Sequence, residues 1–152
     1  MADPTPAPIV PPPQLRSKLC VQDVRDFIWD RTIDDNPLEL DLRFTDVEVQ
    51  NAMRFAAMRY NETSPFVDTV DERRLPYGMM FLTGTAYGLY LMELQKLTGQ
   101  DVSYTAGSLT TDIYGKRIAH LKEFVKLFKE EFMAMVKERK TSINIEAAYA
   151  SY

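Results

Sequence analysis

From Leu75 to Met92 the chain runs for eighteen residues without a charged side chain, and any fold it adopts must bury that stretch. Two solutions exist. One is a bilayer span, which needs about 20 predominantly apolar residues; the other is a helix packed on every side by the rest of the chain. The run is diluted by Gly78, Gly84 and Gly88, by Pro76, by Thr83 and Thr85, and by Tyr77, Tyr87 and Tyr90. The remainder is polar enough to supply a solvated surface, since 26% of the residues are charged and 45% hydrophobic, the profile of a globular protein. The balance points to a central core helix. Pro76 falls where a first-turn proline is tolerated, and Gly99 where a helix C-cap is expected. Gly84 and Gly88 form a small-xxx-small pair that permits close helix approach, here within a bundle or between subunits.

Other helices must surround this one. With 152 residues the chain has the length of one domain, enough to bury about 70% of its unfolded surface without disulfide or metal. A first helix is predicted from about Ser17 to Arg31, with Val21, Val24, Phe27 and Ile28 at three- and four-residue spacing. The turn Asp34-Asp35-Asn36-Pro37 ends that segment, and Leu38 to Leu42 alternates apolar and acidic residues. The second helix carries the clearest start signal. Thr45 and Glu48 have the spacing of a capping box, and Phe44 and Val49 that of a hydrophobic staple. Its inward stripe is Val49, Ala52, Met53, Ala56, Ala57 and Tyr60, and it should end near Asn61, before Ser64-Pro65 forces an extended exit. Gln100 to Thr111 reads as a polar loop. The last helix is predicted from Thr111 or Asp112 to about Lys140, with a seam of Ile118, Leu121, Val125, Phe128, Phe132 and Met135 that Phe124 and Leu127 widen. The predicted class is therefore all-α, a bundle of about four helices over residues 17–140.

Both ends differ in character from the bundle. Residues 1–16 hold Pro4, Pro6, Pro8, Pro11, Pro12 and Pro13, which favour an extended, polyproline-like arm. It is either a leader with no role or an arm that lies along a neighbouring subunit. The opening residues have no basic region followed by an apolar core, so no secretory signal is expected. The tail Thr141 to Tyr152 has one charged side chain, Glu146, and carries Ile143, Ile145, Tyr149 and Tyr152. An extended segment of this kind either docks on a neighbour, as by adding a strand to its edge, or packs back on its own bundle, or stays disordered. Ile143, Ile145, Tyr149 and Tyr152 are accordingly the candidate protein-interface residues.

Chemistry is sparse in this sequence. His120 is the one histidine and Cys20 the one cysteine, too few ligands for a zinc site. A single cysteine also argues for assembly in a reducing cytosol rather than for a disulfide scaffold. Asp34, Asp35, Glu39 and Asp41 lack the glycine and glutamate spacing of a calcium loop. No phosphate-binding glycine loop or nucleophile elbow occurs. The net charge of −4 gives no basic footprint for nucleic acid. The expectation is a chain that is no enzyme and uses no cofactor, metal ion or catalytic residue, but works through its surfaces. Its 8 Met, 8 Tyr and 8 Phe suit protein interfaces, and also cores.

The order of Val24-Arg25-Asp26-Phe27-Ile28, Asp34-Asp35-Asn36 with Leu38, Phe44-Thr45-Asp46 with Glu48, Ala52-Met53, and Tyr60-Asn61 with Pro65 resembles the head-proximal half of tailed-bacteriophage head-to-tail adaptor, or neck, proteins. Asp112, Lys116 and Phe124 to Phe132 are similar to the long last helix of that family. The likeness covers about residues 20–140 and lies in helix lengths and caps. It implies a structural virion protein, made in the host cytoplasm and located at the head–tail interface, that forms a homomeric ring, by family habit a dodecamer. Such a ring sits between the portal protein and the next neck or tail protein, with DNA passing through its channel without specific binding. Alternatives are another head-closure or tail-completion subunit, or a small membrane-associated helical protein that uses residues 75–94 as a span.

Overall fold

The computed structural model describes residues 18–32, 34, 42–99 and 108–150, except for the side chains of 99 and 108–114. Among them are four helices and no strand: α1 (Val21–Ile28), α2 (Asp46–Glu62), α3 (Met79–Gly99) and α4 (Ser108–Tyr149). The expected all-α bundle of four helices is what forms. The Pro-rich arm, the stretch from Leu38 to Asp41, and residues 100–107 of the polar loop lie outside the described residues.

The capping box forms as its spacing requires. Glu48 N–H donates to Thr45 Oγ1 (3.3 Å), and Thr45 N–H donates to Glu48 Oε2 (2.8 Å). Phe44 and Val49 are both buried beside it, so the staple positions close the same turn. α2 then buries Val49, Ala52, Ala56, Ala57 and Tyr60, while Met53 is half-buried. It stops at Thr63, whose hydroxyl donates to the Arg59 carbonyl (2.7 Å). The loop beyond is pinned by Asn61, whose amide donates to the Val70 carbonyl (3.0 Å) and accepts from Val70 N–H (2.8 Å).

α1 is shorter than the expected Ser17 to Arg31 at both ends. Lys18 and Pro76 form an isolated antiparallel bridge, and Leu19 N–H donates to the Leu75 carbonyl (2.8 Å). That backbone is therefore engaged across the molecule and is not free to coil. At the other end Trp29 adopts left-handed backbone (φ 58°, ψ 41°), which stops the helix. Asp30 N–H returns to the Arg25 carbonyl (3.0 Å), and the Arg31 guanidinium lies 4.5 Å from the Trp29 ring centre. The same bridge corrects the start of α3. Pro76 is paired with Lys18 rather than seated in a first helical turn, and the helix begins at Met79.

α3 is the central helix, with every residue from Phe81 to Tyr90 buried. It packs chiefly on α4 and α2, and less on α1. Gly84 is where a helix must come close: a Cβ there would stand 2.7 Å from Phe132 Cε2 and 3.1 Å from the Ala56 methyl. The glycine pair thus serves packing inside the bundle. No helix among the described residues is long and apolar enough to cross a membrane.

α4 begins at Ser108, earlier than Thr111, and carries the largest correction at its other end. The tail expected to be extended from Thr141 is helical through Tyr149. Thr141, Ile143 and Ile145 are mediocre helix formers, but each costs only about half a kcal/mol relative to alanine. Adding residues to an existing helix avoids the nucleation penalty, and the segment holds no glycine or proline to stop it. Of the predicted seam, Leu121 and Phe132 are buried and Val125 and Phe128 half-buried, while Phe124 and Leu127 remain largely exposed. Phe124 and Phe128 stack on Tyr90, each with ring centres 5.6 Å apart.

Candidate interaction surface

The charged residues inside the bundle are engaged with one another. Buried Arg25 donates from Nη1 to Asp30 Oδ2 (3.0 Å), and from Nη2 to the Phe44 carbonyl (2.8 Å) and Asp46 Oδ1 (2.6 Å). The Asp30 carboxylate accepts the backbone N–H of Arg43 (2.8 Å) and Phe44 (3.1 Å). Glu93 Oε2 accepts from Arg43 Nη2 (2.6 Å), and its Oε1 accepts from Arg117 Nη2 (2.9 Å). This lattice ties α1, the entry to α2, α3 and α4 into one unit. Among the described residues no buried side-chain nitrogen or oxygen lacks a partner, as a structural network requires.

A second polar feature sits where α4 passes the end of α2. Lys140 is fully buried, donates to the Thr63 carbonyl (2.5 Å), and lies 4.6 Å from the Tyr60 ring centre and 5.9 Å from that of Phe66. The Tyr60 hydroxyl donates to Asp68 (2.7 Å to Oδ1). Burial pushes the Lys140 ammonium below its ordinary value, against the pull of Asp68. Burial likewise raises the Tyr60 phenol, with Asp68 adding to the effect and Arg139 opposing it. Chemically this is a cation held over an aromatic face and fastened to a backbone carbonyl. Its effect is to pin α4 to the α2–α3 loop just before the last turns.

Beyond that pin the apolar surface opens. Between the start of α3 and the end of α4 lies a groove of about 570 Å³, whose apolar wall includes Tyr77, Met79, Met80, Met135 and Ile143. Glu138, Arg139 and Glu146 stand on the α4 side. The three predicted interface residues that are described fall unevenly on this pole. Ile143 is half-buried and lines the groove. Ile145 is 50% and Tyr149 78% exposed on the last turns of α4. Tyr152 lies outside the described residues. Met79 at 60% and Phe66 at 77% are exposed apolar residues that sequence reading did not single out, as are Trp29, Val47 and Met58 elsewhere on the surface.

The remaining candidates fall elsewhere. His120 is exposed on the outer face of α4, 4.0 Å from the Glu123 carboxylate. Cys20 is exposed at the start of α1, where its N–H donates to Asp23 Oδ2 (2.8 Å). Asp34 is exposed, and Asp35, Glu39 and Asp41 lie outside the described residues. No group of three His, Cys, Asp or Glu side chains suited to a metal ion occurs among the described residues. No protein-family model, curated protein or solved structure matches the chain.

Proposed function

We propose that this chain is a head-to-tail adaptor subunit of a tailed-bacteriophage virion, a structural protein that assembles into a ring and bridges the portal to the next neck or tail component. The observation that carries the reading is the far end of α4, where a long final helix presents Ile145 and Tyr149 to solvent beyond the pin at Lys140. Exposed aromatic and aliphatic side chains on a rigid element are the makings of a protein interface. The interior charges, each bonded to another part of the bundle, support a role through surfaces rather than through chemistry. The proposed partners are other copies of the chain, the portal, and the component that follows. The net charge of −4 suits a channel wall that DNA passes without being gripped.

The test is the mass of the purified protein in solution, alone and mixed with portal assemblies, by light scattering. A ring, or a monomer that is recruited to the portal, is the expected result. A discrete small oligomer indifferent to every portal offered would overturn the reading.

A further inference from the structure

We propose that the groove between the start of α3 and the end of α4 is the seat of this chain's own N-terminal arm, residues 1–17. Lys18 pairs with Pro76 in antiparallel sense, and Leu19 N–H bonds the Leu75 carbonyl (2.8 Å). Pro76 itself lines the groove, together with Tyr77 and Gly78, which follow it in the chain. Lys18, from which the arm departs, is therefore held at the edge of the groove.

Composition fits the destination. Pro8-Ile9-Val10-Pro11 is a PxxP element followed at once by Pro12 and Pro13. Proline-rich chain docks in grooves lined by aromatic side chains because its extended form is set in advance and loses little entropy on binding. Here Tyr77 supplies the aromatic wall, with Met79, Met80, Met135 and Ile143 as apolar floor. Arg16 gives the arm a positive charge, and the rim carries the carboxylates of Glu138 and Glu146 alongside Arg139. Reach is sufficient, since 17 residues of polyproline-like chain extend about 50 Å. This inference does not depend on the adaptor reading.

The experiment follows the methionine methyl resonances of the full chain, and of a same-length variant in which residues 2–14 are replaced by Gly and Ser. Expected is a shift of the Met79, Met80 and Met135 methyls with Met53, on the other side of the bridge, unmoved. Titrating a synthetic peptide of residues 1–17 into the variant should return those signals toward their native positions, and Ile143→Asp should weaken the peptide at least tenfold. Superimposable spectra of the two chains would overturn the proposal, as would a shift at Met53 alone. The native shifts should be independent of protein concentration. If they appear only as concentration rises, the groove takes the arm of a neighbouring copy, and seating within one chain is refuted.

Discussion

Lys140 stands four residues after Val136 and eight after Phe132, where the buried stripe of α4 asks for an apolar side chain. It satisfies the position by laying its stem against Tyr60 and giving its charge to the Thr63 carbonyl. Lys140→Ala should therefore cost about 2–4 kcal/mol, through a cavity and an orphaned carbonyl. Lys140→Met, which refills the space and removes a buried charge, should cost about half as much. Equal losses in urea denaturation would mean that charge, not packing, holds the site. At the opposite end of the molecule, Thr45→Ala should destabilise by about 1 kcal/mol, because Glu48 N–H loses its acceptor. Glu48 itself predicts a pH dependence. Its bond from Lys96, helped by those from Thr45, holds its carboxyl below the ordinary 4.5, with burial opposing. A depressed carboxyl contributes stability that is complete above 4.5 and is lost as pH falls through the folded-state value. Acid unfolding of Glu48→Gln should accordingly have a shallower limb below pH 4.5, and an unchanged limb would show that the pair with Lys96 carries nothing.

At the scale of elements, glycine distinguishes packing from propensity. Gly84→Ala places a methyl against the Phe132 ring, which is fully buried and cannot swing aside. A net loss of about 1–3 kcal/mol is expected despite the better helix former. Gly115→Ala meets nothing within 4 Å and should gain about 0.5–1 kcal/mol. Thermal melts of the two variants shifting in the same direction would refute this view of the α3–α4 contact. The contrast also shows what sequence can reveal. The start of α2 was legible because a capping box is a contact between residues three apart. The limits of α1 and α3 were not, because they depend on Leu19 meeting Leu75, a pairing that no local pattern announces. The end of α4 was hidden for a related reason. Thr141, Ile143 and Ile145 look unhelical when weighed alone, yet they continue a helix that Lys140 has already fastened down. Of the interface residues, Ile143 could be read from its tail, whereas Tyr77 and Met79 were masked by the apolar run that contains them. Only the late start of α3 leaves those two outside the core.

For the whole molecule, the question is what the exposed pole does. Removing residues 144–152 should leave the melting temperature nearly unchanged, because Ile145 and Tyr149 bury little against the bundle, while the recruitment to the portal that the proposed function requires should fail. Unfolding of the shortened chain would show instead that these turns belong to the core. α4 has a further consequence as a mechanical part. Its 42 residues make a rod about 63 Å long, and from Lys116 to Tyr149 it contains neither of the residues at which helices usually kink. Near one end it is clamped by Arg117 to Glu93, and near the other by Lys140 to Thr63. No glycine or proline interrupts the stretch between those two bonds. Between the two clamps the helix is a single stiff strut, so the spacing of the two poles of the molecule is set by its length.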